Sequence, residues 1–472
     1  MTYKNSYLFE SLRTNIIKNS PEDIGIFLKN HNFNSLSDEE KVELLTAEDE
    51  DGYSILTLGL SYSPENFSIL LNSKSLSKLT EDQCFKILSH IDSGSDSSLL
   101  ILAAIKTPKH IHALLDSRLV KKLNNDHLFE LLTNAENDEY SLTQAILISP
   151  KHIKAMLDNI ALDRLEPDQL LRFLTGNEKK ESPLNLAMKK SFEHMQMFLD
   201  SQAIERLDSG GAFEFLNNII DEAESTNIVW NAINKFDSEH LSILLNSKLF
   251  NKLTSEQAGR ILSSVYERSN EETPLNYLLK FKELSYVESF VNSIAFKKLG
   301  TIEIEKQFEA RDVNSKTILD IAVSQKPEYL SLLLECSNCL GTLPDEEKID
   351  ILTIRSFGLE KSPLSVISES AEYINALFNS SAISSMDWSH QSTLIHSSQN
   401  GDLGGSMINT IKHNPEKLIA FISSKTFKML DQAHKFSLIE ETLLTEVEAC
   451  LSPNDMQYNM TCVGEAILHT DS

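Results

Sequence analysis

The sequence contains a ten-residue segment twice: residues 107–116 read TPKHIHALLD and residues 149–158 read SPKHIKAMLD. Seven of the ten positions are identical. Both copies place apolar residues three and four positions apart, as one face of a short amphipathic helix requires. A hydroxyl residue followed by proline suits the cap and the first turn of such a helix. The pair therefore predicts a duplicated helical unit.

The same pattern recurs along most of the chain. With Pro108 and Pro150 as anchors, the equivalent positions are Pro21, Pro64, Phe192, Ser238, Leu284, Pro327, Ala371 and Pro415. Consecutive anchors lie 42 to 46 residues apart. A fixed period of this length indicates an array of stacked structural repeats.

Two further segments repeat in phase with the anchors. A segment such as TPLNYLLK at residues 273–280 precedes the anchor, and one such as KLTEDQCFKIL at residues 78–88 follows it. Thr80 with Gln83, and Thr254 with Gln257, have the spacing of a capping box, which predicts a third helix starting there. Each repeat of about 43 residues is therefore predicted to be helix–turn–helix–loop–helix.

A helix pair with one apolar face buries that face by stacking on its neighbours. The sequence accordingly predicts an all-α fold, an elongated solenoid of about ten three-helix repeats with an extended concave face. We expect residues 1–47 to form an N-terminal capping repeat and residues 48–400 the repeat array. Residues 401–472 are expected to form a degenerate last repeat and a C-terminal tail.

The repeats resemble the ankyrin repeat, whose two helices open with Thr-Pro-Leu and end in a leucine-rich second helix. The resemblance rests on segments such as TPLNYLLK and SPLNLAMK and covers about residues 20–428. The ankyrin unit has about 33 residues. Here about ten more carry the third helix where the family has its β-hairpin loop, which departs from the family's finger-loop binding mode.

Long, divergent ankyrin-like arrays of this kind are similar to secreted effectors of intracellular bacteria such as Legionella and Coxiella. That resemblance implies export into a host cytosol and binding of a host protein there. Glu440, Glu441, Glu446 and Glu448 resemble the glutamate-rich block of Dot/Icm type IV secretion substrates. The alternative is an ordinary acidic helix face.

The net charge bears on the class of partner. Lys and Arg number 43 against 69 Asp and Glu, which gives a formal charge of −26. Such a surface repels phosphate backbones and favours protein partners with a basic surface over nucleic acid.

The longest apolar run, residues 99–105, is far shorter than the roughly 20 residues of a transmembrane helix. Five cysteines, an odd number, are unlike a disulfide framework and indicate a reducing cytoplasm.

One repeat position carries histidine in four successive repeats and tyrosine in the next three. We call this set the ladder: His110, His152, His194, His240, Tyr286, Tyr329 and Tyr373. At a repeat spacing of roughly 10 Å the imidazoles are too far apart to share a zinc ion bound at about 2 Å. The ladder is therefore either a polar stripe near the start of each second helix or part of a partner-binding surface.

No catalytic or phosphate-binding motif and no cofactor site is recognisable in the sequence. Cys336 and Cys339 form a lone C-x-x-C, which we interpret as buried thiols.

We expect a non-enzymatic scaffold that binds a partner protein on its concave face. Two alternatives stay open: an effector enzyme with an unrecognised site in residues 401–472, or a structural subunit of a larger assembly. The oligomeric state is not predicted.

Overall fold

The computed structural model describes residues 3–133, 140–176, 181–217, 227–265, 272–336, 339–353, 362–397 and 406–447. Within these ranges, side chains are described from residue 7 to residue 439. The described residues are all-helical and contain no strand, only two isolated antiparallel bridges, Glu48 with Ser54 and Ile91 with Ser98. The helical fold class predicted from the sequence is confirmed.

The described ranges contain α-helices and four short 3₁₀ helices. In chain order the α-helices are α1 (Tyr3–Ile17), α2 (Pro21–Lys29), α3 (His31–Asn34), α4 (Asp38–Thr46), α5 (Ile55–Tyr62), α6 (Pro64–Leu71), α7 (Glu81–Leu88), α8 (Leu99–Lys106), α9 (Pro108–Leu115), α10 (Asn125–Thr133), α11 (Ser141–Ile148), α12 (Pro150–Leu157), α13 (Pro167–Thr175), α14 (Pro183–Lys190), α15 (Phe192–Leu199), α16 (Gln202–Arg206), α17 (Ser209–Asn217), α18 (Ile228–Lys235), α19 (Ser238–Leu245), α20 (Lys248–Lys252), α21 (Ser255–Leu262), α22 (Pro274–Phe281), α23 (Leu284–Val291), α24 (Ile294–Lys297), α25 (Thr301–Glu309), α26 (Ile318–Gln325), α27 (Pro327–Glu335), α28 (Asp345–Thr353), α29 (Pro363–Ile367), α30 (Ala371–Asn379), α31 (Ser381–Ser384), α32 (Trp388–His396), α33 (Met407–Lys412), α34 (Pro415–Ile422), α35 (Lys425–Met429) and α36 (Gln432–Val447). The 3₁₀ helices are Lys74–Leu76, Val120–Lys122, Ile160–Arg164 and Leu340–Thr342.

A helix begins at each of the ten anchors. These second helices are α2, α6, α9, α12, α15, α19, α23, α27, α30 and α34. The helix before each one is called a first helix: α1, α5, α8, α11, α14, α18, α22, α26, α29 and α33. The third helices are α4, α7, α10, α13, α17, α21, α25, α28, α32 and α36.

A short helical turn that the sequence analysis did not predict lies between each second and third helix. It is an α-helix or a 3₁₀ helix of three to five residues, such as α16 or Lys74–Leu76. A helical turn of three to five residues is too short to show a periodic spacing of apolar residues in the sequence. Its cap is the available signal: Ser201 accepts a hydrogen bond from Ile204 N, and Ser424 accepts one from Phe427 N.

The predicted capping boxes at the third helices are confirmed. Thr80 N donates to Gln83 Oε1 at 2.9 Å, and Gln83 N donates to Thr80 Oγ1 at 3.3 Å. Thr254 and Gln257 make the same pair of hydrogen bonds at 2.9 and 3.2 Å. Each box satisfies backbone N–H groups that have no partner inside the helix, so α7 and α21 start at the predicted residues.

The chain folds into two compact units. Unit 1 comprises Met1–Asp221 and Ser247–Lys252, and unit 2 comprises Glu222–Asn246 and Leu253–Ser472. Within unit 1, second helices pack in the order α2, α6, α9, α12 and α15, and first helices in the order α1, α5, α8, α11 and α14. Within unit 2, second helices pack in the order α19, α23, α27, α30 and α34.

Each second helix buries the apolar residues that define its repeat pattern. In α6 these are Phe67, Leu70 and Leu71, and all three side chains are fully buried. Burying one such side chain stabilises the fold by roughly 1.5–3 kcal/mol. The neighbouring second helices α2 and α9 both contact α6. The apolar face of one helix is therefore covered by the helices of adjacent repeats.

Loops that lead into first helices carry a buried aspartate. The side chains of Asp49, Asp92 and Asp312 are 3%, 1% and 0% exposed. Asp49 Oδ1 accepts hydrogen bonds from the amide groups two and four residues later, both at 3.0 Å. Asp312 Oδ1 does the same at 2.8 and 2.7 Å. These bonds hold the loop in a tight turn before the next first helix.

Candidate functional site

Every ladder residue is the third residue of a second helix. A side chain at this position is next to the N-cap residue and to the turn that joins first and second helices. The repeat pattern of the sequence therefore predicts the shared position correctly.

The ladder histidines bind the caps of their own helices. The Nδ1 atoms of His110, His152 and His194 lie 2.8, 2.7 and 2.7 Å from the hydroxyl oxygens of Thr107, Ser149 and Ser191. His240 Nδ1 lies 2.7 Å from Asp237 Oδ1. Each imidazole thus holds the N-cap side chain in place, whereas the glutamine of a capping box accepts from the backbone N–H of the N-cap residue.

The ladder tyrosines reach the preceding repeat. The Tyr286 hydroxyl donates to the carbonyl of Phe236 at 2.9 Å, and the Tyr329 hydroxyl donates to that of Lys282 at 3.1 Å. Phe236 and Lys282 are the C-caps of the first helices α18 and α22. Tyr286 and Tyr329 therefore each tie a second helix to the end of the first helix one repeat earlier.

The ladder is largely enclosed. His110 and His152 are 5% and 7% exposed, and the other five ladder residues are half-buried. Among the described residues, the groups close enough to hold one metal ion include no ladder residue. Burial and the bonds above support a packing role, whereas partner binding by the ladder stays a prediction.

The buried histidines lead us to expect acid sensitivity in unit 1. Burial lowers the pKa of His110 and His152 below its ordinary value of 6.5. As pH falls through about 6.5 the unfolded chain takes up protons before the folded chain does, so stability decreases towards the folded pKa. His152→Gln should therefore show a smaller fall in melting temperature than wild type between about pH 7.5 and about pH 5.5.

Circular dichroism melts of the full chain measure this difference. Glutamine suits the third helical position, as Gln83 and Gln257 show, so the substitution keeps a cap partner. His31→Gln is the control, because His31 is exposed in the folded chain. An equal pH dependence in His152→Gln and wild type would contradict the expectation.

Unit 1 also exposes an apolar stripe, which we define as Tyr62, Ile105, Leu147 and Ile148. These residues lie at the C-terminal ends of three neighbouring first helices, α5, α8 and α11. They are 44%, 40%, 37% and 44% exposed. On the next first helix, α14, the last two residues are the exposed lysines Lys189 and Lys190. Exposed apolar side chains grouped on neighbouring helices are typical of interaction surfaces.

Unit 2 carries an acidic group on two neighbouring third helices, α25 and α28. Glu347 on α28 lies close enough to Glu305 and Glu309 on α25, and to Asp350 on its own helix, to interact with them electrostatically. Burial, followed by repulsion from these three carboxylates, raises the pKa of Glu347. A cationic group brought to this surface would relieve that repulsion.

The cysteines of the C-x-x-C segment are interior residues. Cys336 and Cys339 are 5% and 0% exposed, and Cys336 Sγ donates to the Val291 carbonyl at 3.3 Å. Burial raises the pKa of the Cys339 thiol well above its ordinary value. A protonated, enclosed thiol is a poor nucleophile, which fits the interpretation as buried thiols.

The glutamates proposed as a secretion signal fall at the end of the chain. Glu440, Glu441 and Glu446 lie in α36, but their side chains are outside the described residues, as is Glu448 altogether. Residues 401–405 and 448–472 of the region considered for an enzyme site are also outside the described ranges.

Comparison with known proteins finds no match: no family model fits the chain, and no curated protein and no solved structure is significantly similar to it. Among the described helices, none combines the length and the apolar character needed to cross a membrane.

The apolar stripe is not predicted from the sequence. Its residues continue the apolar pattern of the first helices, as in ILTLGLSY and SLTQAILI. The pattern therefore assigns them to the buried face. The available signal is one or two apolar residues beyond the last buried residue of consecutive first helices. Which of these residues are exposed to solvent depends on how the first helices pack against their neighbours.

Proposed function

We propose that this protein is a non-enzymatic scaffold that binds a partner protein. In this proposal ten repeats of about 43 residues form a helical solenoid whose first helices present the binding face. Helices that begin at all ten anchors support the repeat count, and helix packing in chain order within each unit supports the stacking.

The apolar stripe is the observation that carries the proposal. Aromatic and aliphatic side chains in the centre of an interface supply most of its binding free energy. The stripe places Tyr62, Ile105 and Leu147 on adjacent helices, where a single partner segment can contact all three. We expect that segment to be amphipathic, with its apolar side on the stripe.

The charge of the chain defines the rest of the partner surface. A formal charge of −26 accelerates association with a basic protein and makes the rate fall with salt. The acidic group around Glu347 supports the same preference, because a basic side chain would relieve its internal repulsion. If the chain is a secreted effector, this partner is a host protein.

The experiment compares one partner across matched variants. Proximity labelling in a eukaryotic cytosol nominates partners, and biolayer interferometry then measures the binding of the purified partner to the full chain. Combined Tyr62→Glu, Ile105→Glu and Leu147→Glu should weaken binding by about 100-fold or more. Ile160→Glu is the control, because Ile160 is 66% exposed in unit 1 but outside the stripe.

Two results would overturn the proposal. One is a purified partner that binds the stripe variant and the Ile160 variant with equal affinity. The other is that no labelled protein binds the wild-type chain directly. Circular dichroism of each variant establishes that the substitutions leave the fold intact.

A further inference from the structure

Three potential metal ligands converge where two loops of unit 1 meet. Glu48 lies in the loop before α5, and His90 and Asp92 lie in the loop before α8. His90 Nε2 is 3.5 Å from Glu48 Oε1 and 3.4 Å from Asp92 Oδ1. One ligand atom from each residue lies within 4.8 Å of the others.

Two atoms of this cluster are buried without a hydrogen-bond partner among the described residues: His90 Nε2 and Asp92 Oδ1. The Asp92 side chain is only 1% exposed. A buried carboxylate oxygen left without a hydrogen bond or a cation is costly. The arrangement therefore calls for a positive charge between the imidazole and the carboxylates.

The equivalent aspartates of other loops have such a charge built in. Arg13 on the first helix α1 donates from Nε to Asp49 Oδ2 at 3.1 Å. Lys280 on the first helix α22 pairs with Asp312 Oδ2. The first helix before Asp92 is α5, with the sequence ILTLGLSY, and it contains no basic residue. At Asp92 the first helix therefore supplies no cation, and the neighbouring side chains are His90 and Glu48.

We propose that Glu48, His90 and Asp92 bind a divalent transition-metal ion of the zinc class. Zinc binds histidine nitrogen and carboxylate oxygen at about 2.0–2.2 Å, so neighbouring ligand atoms of a tetrahedral site are about 3.3 Å apart. The 3.4 and 3.5 Å separations at His90 Nε2 are close to this value. Glu48 and His90 are each 28% exposed, so the cluster is partly open to solvent.

Hydrogen bonds orient both carboxylates, as the outer shell of a metal site does. Ser54 N donates to Asp92 Oδ2 at 2.7 Å, which turns the other oxygen towards His90. Ser93 N donates to Glu48 Oε1 at 3.0 Å, and the Ser93 hydroxyl donates to Glu48 Oε2. Neither loop depends on the metal for these bonds, so the site is preformed.

Glycines allow the two loops to approach this closely. Gly94 N donates to the Gly52 carbonyl at 3.0 Å. A Cβ atom on Gly94 would lie 2.4 Å from the Asp51 carbonyl oxygen, and Gly52 has a φ of +80°. A side chain at either position would separate the loops, and with them Glu48 from Asp92. A metal ion bound here would therefore connect the loop before α5 to the loop before α8.

A second cluster, Asp345 with Asp387 and His390, lacks the same support. His390 Nδ1 is 2.8 Å from Asp387 Oδ1 but 3.9 Å from Asp345 Oδ2. Asp387 is 61% exposed, and the same oxygen accepts hydrogen bonds from His390 N and the Ser389 hydroxyl. Its charge is met by water and neighbouring donors, so we propose no site there.

The test uses the full chain after treatment with a chelator and dialysis. Isothermal titration calorimetry with zinc chloride should give one high-affinity equivalent for wild type. His90→Gln and Asp92→Asn should each weaken that binding by about 10-fold or more. Asparagine keeps an acceptor for Ser54 N, which protects the loop from unfolding. His127→Gln is the matched control, because His127 is a half-buried unit 1 histidine whose Nδ1 lies 2.7 Å from Glu81 Oε1, outside the cluster.

Thermal melts and cobalt spectra test the same site without counting the bound zinc ions. Zinc should raise the melting temperature of wild type and of His127→Gln, but not of His90→Gln or Asp92→Asn. Co²⁺ should give the visible absorption of a low-coordinate site in the same two proteins. The proposal is overturned if wild type binds no zinc, or if His90→Gln and Asp92→Asn bind it as wild type does.

Discussion

Replacing Lys280 with methionine is expected to lower the free energy of unfolding of unit 2 by about 3–5 kcal/mol. Lys280 Nζ lies 2.6 Å from Glu272 Oε1 and also pairs with Asp312 Oδ2. The Lys280, Glu272 and Asp312 side chains are 15%, 3% and 0% exposed. Methionine fills a similar volume but removes the cation that both buried carboxylates contact, and their desolvation cost is then less well compensated.

Tryptophan fluorescence is a selective measurement of this effect. The chain has two tryptophans, Trp230 and Trp388, and both belong to unit 2. Urea unfolding followed at these residues therefore reports on the unit that contains Lys280. Lys306→Met is the control, because Lys306 is exposed on α25, and its effect should be within about 0.5 kcal/mol.

Neutralising the carboxylates separates charge from packing. Glu272→Gln and Asp312→Asn, added to Lys280→Met, should recover part of the lost stability because the two buried negative charges are then removed along with the cation. If Lys280→Met alone unfolds at the same urea concentration as wild type, the triad is not stabilising and the expectation is wrong.

The same triad sets the pH range of its own contribution. Burial raises the pKa of Asp312, but hydrogen bonds from Lys280 and the Lys316 amide lower it more, and the net shift is downward from 3.8. Burial likewise lowers the pKa of Lys280, but its two carboxylate partners raise it above 10.5 overall. Asp312 therefore stabilises above about pH 3.8 and Lys280 below about pH 10.5, so the contribution is constant near neutral pH.

Trp230→Ala is expected to cost unit 2 about 3–5 kcal/mol, the range for removing a large aromatic side chain from a core. Trp230 is 1% exposed, and its Nε1 donates to the Ser264 carbonyl at 2.8 Å. Its ring meets the edge of Tyr277 on the neighbouring first helix, with centroids 5.4 Å apart. Alanine leaves a cavity between α18 and α22 and removes the hydrogen bond to Ser264.

Trp388→Ala is the matched control in the same unit. Trp388 is half-buried and contacts the His434 ring at 4.5 Å, so its loss should cost only about 1 kcal/mol. Urea unfolding monitored by circular dichroism compares the two variants, each of which retains one tryptophan. Equal losses in both would show that Trp230 is not a core anchor.

Much of the local structure can be predicted from the sequence, because the determining groups are near each other along the chain. Ser and Thr caps, proline in the first turn, and Gln three residues after Thr80 act within one helical turn. They mark the start of second and third helices to the residue. The short turns before the third helices were missed, since three to five residues contain too few positions to show a period.

The candidate sites were less predictable for a different physical reason. The sequence identifies the ladder position but not its contacts, such as the hydrogen bond from Tyr286 to Phe236, 50 residues earlier. Nothing local distinguishes Tyr62 or Ile105 from the buried apolar residues beside them. Which side of a first helix meets solvent depends on the helices packed against it.

Periodicity and caps alone therefore determined that the chain is helical, where its helices begin and which positions recur. Tertiary structure decided which charges are neutralised and by what. Asp49 and Asp312 receive a basic side chain from a first helix, whereas Asp92 faces Glu48 and His90. Helix formation depends on groups within about four residues, whereas electrostatic balance depends on side chains that packing brings together from about 40 residues apart.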